Sequence, residues 1–222
     1  MLLVDKPLTW TSFDVVNKLR YALKRRLRVK KIKVGHAGTL DPLATGLLII
    51  CTGKATKRID EYQGMPKEYT GTLRLGASTP SYDAETAPDR TFAYAQLSEA
   101  AIRAAATRLT GPIEQLPPMF SAVKVDGQPL YKKARQGKTI ERKPRPVEVM
   151  RFELTAFRLP EVDFAVTCSK GTYIRTLAHD LGALLDNGAH LTALRRTAIG
   201  HFQVADAWEL EELVAELETG PE

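Results

Sequence analysis

The sequence predicts an α+β protein whose strands and helices are interleaved irregularly. Three observations lead there. Short apolar or alternating runs that read as strands recur along the chain, and stretches of helical period fall between them at no fixed interval. No Gly-rich phosphate loop follows the first strand, as the βα units of a nucleotide-binding sheet would require. The 222 residues suit one domain or two small ones, and 44% hydrophobic with 26% charged residues is ordinary for a globular chain. No apolar run approaches membrane-spanning length, and the apolar part of residues 1–6 is too short for a secretion signal, so a cytoplasmic location is expected. Cys51 and Cys168 follow apolar residues without metal-type spacing and read as buried thiols of a reducing compartment. The four histidines form no zinc signature.

In chain order, Leu2, Leu3 and Val4 read as a short buried strand ended by Asp5, Lys6 and Pro7. Thr11 and Ser12 are N-cap candidates for a helix whose apolar positions are Val15, Val16, Leu19 and Leu23. Residues 34–46, with three glycines, one histidine and one carboxylate, read as a tight loop entering a buried strand at Leu47-Leu48-Ile49-Ile50-Cys51. A short helix is expected over 53–58. Residues 67–76 alternate, with Tyr69, Gly71, Leu73 and Leu75 on one strand face. Residues 77–91 read as a surface loop, and Ser98 as the cap of a helix through Leu109 stopped by Gly111 and Pro112. A strand from Phe120 to Val125, a turn at Asp126-Gly127 and a basic helix over 130–136 should follow. Residues 138–145 read as a basic, Pro-punctuated loop. Two strands over 147–158 and 163–168 share a turn at Leu159-Pro160-Glu161. Gly171 turns the chain, Thr172 caps a helix to Leu185, and a strand over 191–202 carries Arg195 and Arg196. Leu210, Leu213, Val214 and Leu217 lie at helical spacing on a closing acidic, amphipathic helix.

Charge is unevenly placed. Residues 205–222 hold seven acids and no Lys or Arg, so of the net +6 the first 204 residues carry +6 + 7 = +13. Residues 15–40 contain nine Lys or Arg, no acid, and Tyr21 among them. A merely soluble surface mixes signs, whereas a single-sign run fits a phosphate backbone, which puts nucleic acid first among partners. Gly35-His36-Ala37-Gly38 is no dinucleotide or ATP fingerprint, and no Ser-His-Asp arrangement stands out. What remains is Asp41, one carboxylate on a constrained loop. Pro42 disfavours a helical conformation at Asp41, and Gly35 and Gly38 admit angles or approaches that a side chain would block. Two readings stand at this point: a reactive carboxylate held rigidly, or a turn Asp capping local amides.

Lys33-Val34-Gly35-His36-Ala37-Gly38-Thr39-Leu40-Asp41-Pro42-Leu43-Ala44-Thr45-Gly46 resembles the catalytic motif of the bacterial tRNA pseudouridine-55 synthases, the TruB family. Further matches follow in family order: Asp5-Lys6-Pro7 with Thr11-Ser12; Lys67-Glu68-Tyr69; Pro117-Pro118 through Ser121-Ala122-Val123-Lys124-Val125 with Ala134-Arg135-Gln136-Gly137; and Ser169-Lys170-Gly171-Thr172-Tyr173-Ile174-Arg175. The resemblance spans nearly the whole chain. It implies the pseudouridine synthase fold, a mixed, mainly antiparallel central sheet flanked by helices and loops. It also implies isomerisation of uridine 55 in the tRNA T-arm, by breaking the N1–C1′ bond and re-forming it through C5, with no cofactor and no metal. By resemblance Asp41 is the essential carboxylate, Arg175 the arginine paired with it, and Tyr69 the tyrosine against the target base. His36 enters the RNA loop where bases have left, and Tyr173 and Leu194 line the pocket. Gly38 and Thr39 belong to the substrate-binding motif, and Lys6 with the run over 18–33 is expected to hold the RNA backbone.

Two departures matter. Thr9 stands where the family motif usually has glycine, so that turn is expected to differ. Pro80-Ser81-Tyr82-Asp83 replaces a stretch usually richer in Asp and Thr. A catalytic domain over 1–204 and an acidic helix over 205–222 packed on it are expected, with no C-terminal PUA domain. The expected partner is the T-arm stem-loop of tRNA, with no membrane and no obligate protein partner, and the protein is expected to be a monomer. Competing readings are an RNA folding chaperone with dispensable catalysis and a guide-dependent pseudouridine synthase.

Overall fold

The computed structural model describes residues 1–125 and 127–219. Asp126 of the expected turn and the last three residues of the acidic segment lie outside the described residues. The chain runs β1 (Leu2–Lys6), α1 (Ser12–Arg26), β2 (Val34–His36), β3 (Ala44–Thr52), a 3-10 turn (Gly53–Arg58), α2 (Ile59–Gly64), β4 (Lys67–Leu75), β5 (Ala77–Ser78), β6 (Arg90–Thr91) and α3 (Glu99–Arg108). It continues through β7 (Gly111–Gln115), β8 (Lys124–Val125), β9 (Gln128–Pro129), α4 (Leu130–Ala134), β10 (Arg145–Arg158), β11 (Glu161–Cys168), α5 (Ile174–Leu184), β12 (Ala189–Ile199), β13 (Phe202–Gln203), β14 (Trp208–Glu209) and α6 (Leu210–Thr219). The α+β class is as expected. Two compact units divide the chain: residues 1–69 with 194–222, and residues 70–193.

In the first unit β3 is the central strand. It pairs antiparallel with β1, from Leu2↔Ile50 to Lys6↔Gly46, and antiparallel with β2. It pairs parallel with the end of β12, from Leu194↔Ala44 to Arg196↔Gly46. Side chains alternate along a strand, which explains why residues 47–51 are continuously apolar. Leu48 and Ile50 enter one core with Val15, Val16, Leu19, Leu210, Leu213 and Val214 of α1 and α6. Leu47, Ile49 and Cys51 enter another with Ala37, Tyr62 and Ile199. Thr11 starts α1 with a reciprocal capping box: its N–H donates to Asp14 Oδ2 at 2.9 Å, and Asp14 N–H donates to Thr11 Oγ1 at 3.1 Å. The acidic helix is α6, and it packs on α1.

The second unit centres on the antiparallel pair β10–β11, with β7 antiparallel on β10 from Arg145↔Gln115 to Val149↔Gly111. Val162, Phe164, Val166 and Cys168 alternate into its core. Ser98 caps α3, accepting from the Ala101 N–H at 3.2 Å.

Several expectations differ. Residues 119–122 bend rather than extend, and the strand is reduced to β8. The expected strand over 191–202 breaks at Gly200, where φ is +56° and a Cβ would stand 2.7 Å from Met65 Sδ, so Phe202 returns in β13 against Ile199. Thr172 does not cap α5: its hydroxyl donates to the Ser169 carbonyl, and Tyr173 is the cap residue. The stretch read as a surface loop begins with Thr79, Ser81 and Asp83, all buried. Among the described residues no helix is long and apolar enough to cross a membrane.

Asp180 on α5 is partly buried, and burial pushes its carboxyl up to about 6. Because this lies above the unfolded reference of about 3.9, the folded state holds the proton more tightly, and ionised Asp180 costs stability at neutral pH. Asp180→Asn should therefore stabilise the protein by about 1–2 kcal/mol at pH 7.5, discounted for partial exposure. Urea unfolding should show that gain shrinking to near zero as the pH falls to about 4.

Candidate active site

Asp41 lies between β2 and β3 in the first unit, and its two neighbours are both anchored by backbone. Before it, Leu40 N–H donates to Ser12 Oγ at 2.8 Å, and Ser12 Oγ donates back to the Leu40 carbonyl at 3.2 Å. After it, the Pro42 carbonyl accepts from Thr9 N–H at 2.8 Å and from Lys6 Nζ at 3.5 Å. The Asp41 carbonyl accepts from Ala44 N–H at 3.0 Å, which closes the turn into β3. Thr11 is thus the cap of α1, while its neighbour Ser12 ties the start of that helix to the motif loop.

Lys6 is 0% exposed, and its ammonium also donates to the carbonyls of Pro7 at 2.8 Å and Trp10 at 2.6 Å. The expectation that Lys6 meets RNA phosphate is therefore corrected. Its three donors reach three backbone carbonyls, and its place is under the loop rather than on the surface. Burial pushes it down to about 8; the Asp41 carboxylate opposes that shift and the Arg196 guanidinium adds to it. Thr9 takes φ +71°, the left-handed conformation a glycine would supply. The turn is thus kept despite the departure from the family residue, at the steric cost that a β-branched side chain meets there.

Sequence reasoning placed Arg196 on its strand but gave it no role. It is 1% exposed, with Nε donating to the Leu47 carbonyl at 2.7 Å and Nη2 to the Gly38 carbonyl at 3.1 Å. Gly46 makes this possible, since a Cβ there would lie 2.3 Å from the Arg196 carbonyl oxygen. Its neighbour Arg195 forms a two-pronged ion pair with Asp5. The doublet on an otherwise buried strand was the available signal, because a buried guanidinium must find acceptors.

Around this frame, Thr39 is exposed and His36 is half-buried. Burial, with the Arg196 guanidinium, holds His36 below the usual histidine range. Leu194 is half-buried beside Ala44, three residues beyond Asp41, and Tyr69 lies on the buried face of β4. Lys18 and Arg25 of the basic run face α6, 3.7 Å from Glu211 and 3.3 Å from Glu218.

Tyr173 and Arg175 belong to the second unit. Gln115, 1% exposed, grips the backbone of Tyr173: its Oε1 accepts from the Tyr173 N–H at 2.9 Å, and its Nε2 donates to the Tyr173 carbonyl at 3.1 Å. Arg175, 4% exposed, donates to the Ser81 carbonyl at 3.0 Å and the Phe120 carbonyl at 2.8 Å, with Asp83 Oδ2 at 3.7 Å from its Nε. Arg175 thus fastens two segments to the first turn of α5, which is why residues 79–83 are buried. Sequence reasoning gave Gln115 no role. A lone Gln at a strand end carries no sequence signal for that task.

A family model described as TruB family pseudouridylate synthase (N terminal domain) matches residues 24–174, and one described as tRNA pseudouridylate synthase B C-terminal domain matches residues 175–220. A protein named tRNA pseudouridine synthase B from Flavobacterium johnsoniae is 54% identical, over 95% of this chain and 92% of its own length. One of the same name from Chlorobaculum tepidum is 51% identical, over 97% of this chain and 90% of its own length. Among solved structures, one from the crystal structure of a Cbf5-Nop10-Gar1 complex superposes with a TM-score of 0.74 at 30% identity, covering 100% of this chain and 56% of that chain. Another, from an H/ACA RNP bound to a substrate RNA containing 2′-deoxyuridine, gives 0.70 at 27% identity, covering 100% of this chain and 55% of that chain.

Ser12→Ala leaves both backbone groups of Leu40 without their partner. It should cost about 1–2 kcal/mol of stability and lower turnover more than RNA affinity; parallel urea unfolding and steady-state rates on one RNA check this.

Proposed function

The chain belongs to the TruB family of pseudouridylate synthases, and we propose that it converts uridine 55 in the T-arm of tRNA to pseudouridine with Asp41 as the essential carboxylate. Its fold is the pseudouridine synthase fold, and its activity is isomerisation of uridine to pseudouridine in tRNA. The observation that carries the assignment to Asp41 is the anchoring of Leu40 and Pro42 on either side of it. A turn Asp that merely capped local amides would not need both flanks fixed by buried groups; a reacting carboxylate does.

The reaction breaks N1–C1′, turns the base, joins C5 to C1′, moves the C5 proton away and leaves N1 protonated. An ionised carboxylate serves each of the three open routes: attack at C1′, addition at C6, or removal of a ribose proton. We assign Arg175 to keeping that carboxylate charged, since a guanidinium lowers a neighbouring carboxyl by about 1–3 pH units. Tyr69 offers a ring to stack on the base and a phenol to help remove the C5 proton. The target uridine must leave its stack, at a cost of about a few kcal/mol, and His36 fills the gap, neutral at pH 7 and able to donate a hydrogen bond. Tyr173 and Leu194 line the pocket, with Gly38 and Thr39 against the substrate. We further infer that the enzyme works in the cytoplasm as a monomer on tRNA without a guide. The tRNA synthases named above match it over about nine-tenths of their own length, at higher identity than the ribonucleoprotein chain.

Tritium release from C5 of uracil in a T-arm hairpin tests the assignment. Asp41→Asn should lose at least about a thousandfold in rate while binding the RNA within about threefold of the native protein. An Asn variant that keeps its turnover overturns it. Arg175→Lys removes the planar fork and should cut turnover about 10- to 100-fold, far more than RNA binding; equal losses in both would remove Arg175 from the chemistry.

A further inference from the structure

The basic run from residue 15 to residue 40 is divided by α6. Its Glu211 and Glu218 meet Lys18 and Arg25 along one edge of α1, over an apolar seam that fixes the two helices together. Beyond that edge the surface is different. Lys30, Lys31 and Lys33 stand exposed on the connector after α1, and three residues past Lys33 is His36. On α1 itself two aromatic rings face solvent, Phe13 at 61% and Tyr21 at 62% exposure. They are eight residues apart, within about 80° of one another around the helix. Phe13 follows Ser12, whose hydroxyl holds Leu40 beside Asp41. Arg25 lies over one face of the Tyr21 ring, 5.8 Å from its centroid, and the rest of that ring is exposed. Cations interleaved with exposed rings are the combination that holds a nucleic-acid strand, with phosphates on the ammonium groups and bases or riboses on the rings.

We propose that Phe13, Tyr21, Lys30, Lys31 and Lys33 form a track for the RNA backbone leading to the Asp41 loop, and that α6 sets its outer edge by occupying Lys18 and Arg25. This rests on the reading of the protein as a tRNA-modifying enzyme and narrows the basic run to a specific part of it. The two kinds of contact have separable signatures. A phosphate contact contributes to the salt slope, about 0.7–0.9 each in log K against log salt, whereas a stacked ring contributes affinity with little salt dependence.

Filter binding of a T-arm hairpin and of whole tRNA across a potassium chloride series tests this, with thermal unfolding of each variant as a check of folding. Lys30→Gln/Lys31→Gln/Lys33→Gln should flatten the slope by about 2. Lys18→Gln/Arg25→Gln should move it by less than about half a contact. Phe13→Ala/Tyr21→Ala should weaken binding about fivefold or more with the slope preserved. A native slope in the triple lysine variant, or a Lys18/Arg25 variant that flattens it as much as the triple, overturns the proposal. Tritium release by the native chain from the same RNA keeps the two readings apart: its presence alongside a native slope in the triple variant overturns only the track, and its absence overturns the enzymatic reading on which the track rests.

Discussion

Buried cations held by carbonyl oxygens are the constraint on which this molecule depends. Lys6 and Arg196 are almost wholly excluded from water: Lys6 joins the connector before α1, at Pro7 and Trp10, to Pro42 beside Asp41, and Arg196 donates to Gly38 and Leu47 on either side of the Asp41 loop. Removing an ammonium or guanidinium from water is expensive unless every donor finds an acceptor. The carbonyls of Pro7, Trp10, Pro42, Leu47 and Gly38 supply those acceptors, so each is fixed as firmly as the cation it satisfies. Ser12 completes the frame from the helix side. The loop is rigid because loosening it would strand a charge in the core, which is a stronger restraint than turn propensity alone.

The second unit uses the same device. Arg175 draws the carbonyls of Ser81 and Phe120 onto the first turn of α5, and Gln115 clamps Tyr173 from the end of β7. Side chains with fixed planar donors suit this work, because a guanidinium or amide reaches two backbone groups in one geometry. In both units, then, polar residues of the family motifs hold backbone in place, and the chemistry assigned to Asp41 and Tyr69 needs that held frame to keep reacting groups aligned.

Charge is handled by position more than by amount. Glu211 and Glu218 of α6 meet Lys18 and Arg25 of α1 above a core that the two helices share through Val15, Leu19, Leu213 and Val214. Surface ion pairs of this kind contribute little to stability. Their consequence lies in the charge left over: they pair Lys18 and Arg25 along one edge of a strongly basic helix, while Lys30, Lys31 and Lys33 stand exposed on the connector that leads to His36.

The sequence by itself determined the α+β class, the start of α1 at Thr11 or Ser12, the alternation of β4, the packing face of α6 and the family motif around Asp41. Each is a local pattern, readable because period and capping act within a few residues. The tertiary structure alone decided what the buried polar residues do. Lys6 reads as a surface cation because lysines usually are, and only the convergence of three carbonyls shows it beneath the loop. Arg196, Gln115 and Ser12 act on backbone 28 to 158 positions away along the chain, and no local pattern encodes such partners. Thr9 looks like a broken motif, yet its backbone adopts the glycine conformation because Pro42 accepts its amide. The residues at 77–91 look polar enough for a surface loop and begin buried, because Arg175 donates to the Ser81 carbonyl, the Thr79 and Ser81 hydroxyls donate to the Asp83 carbonyl, and Leu191 N–H donates to the Tyr82 carbonyl. Sequence reports which groups prefer water, and the fold reports which of them have found a partner that lets them leave it.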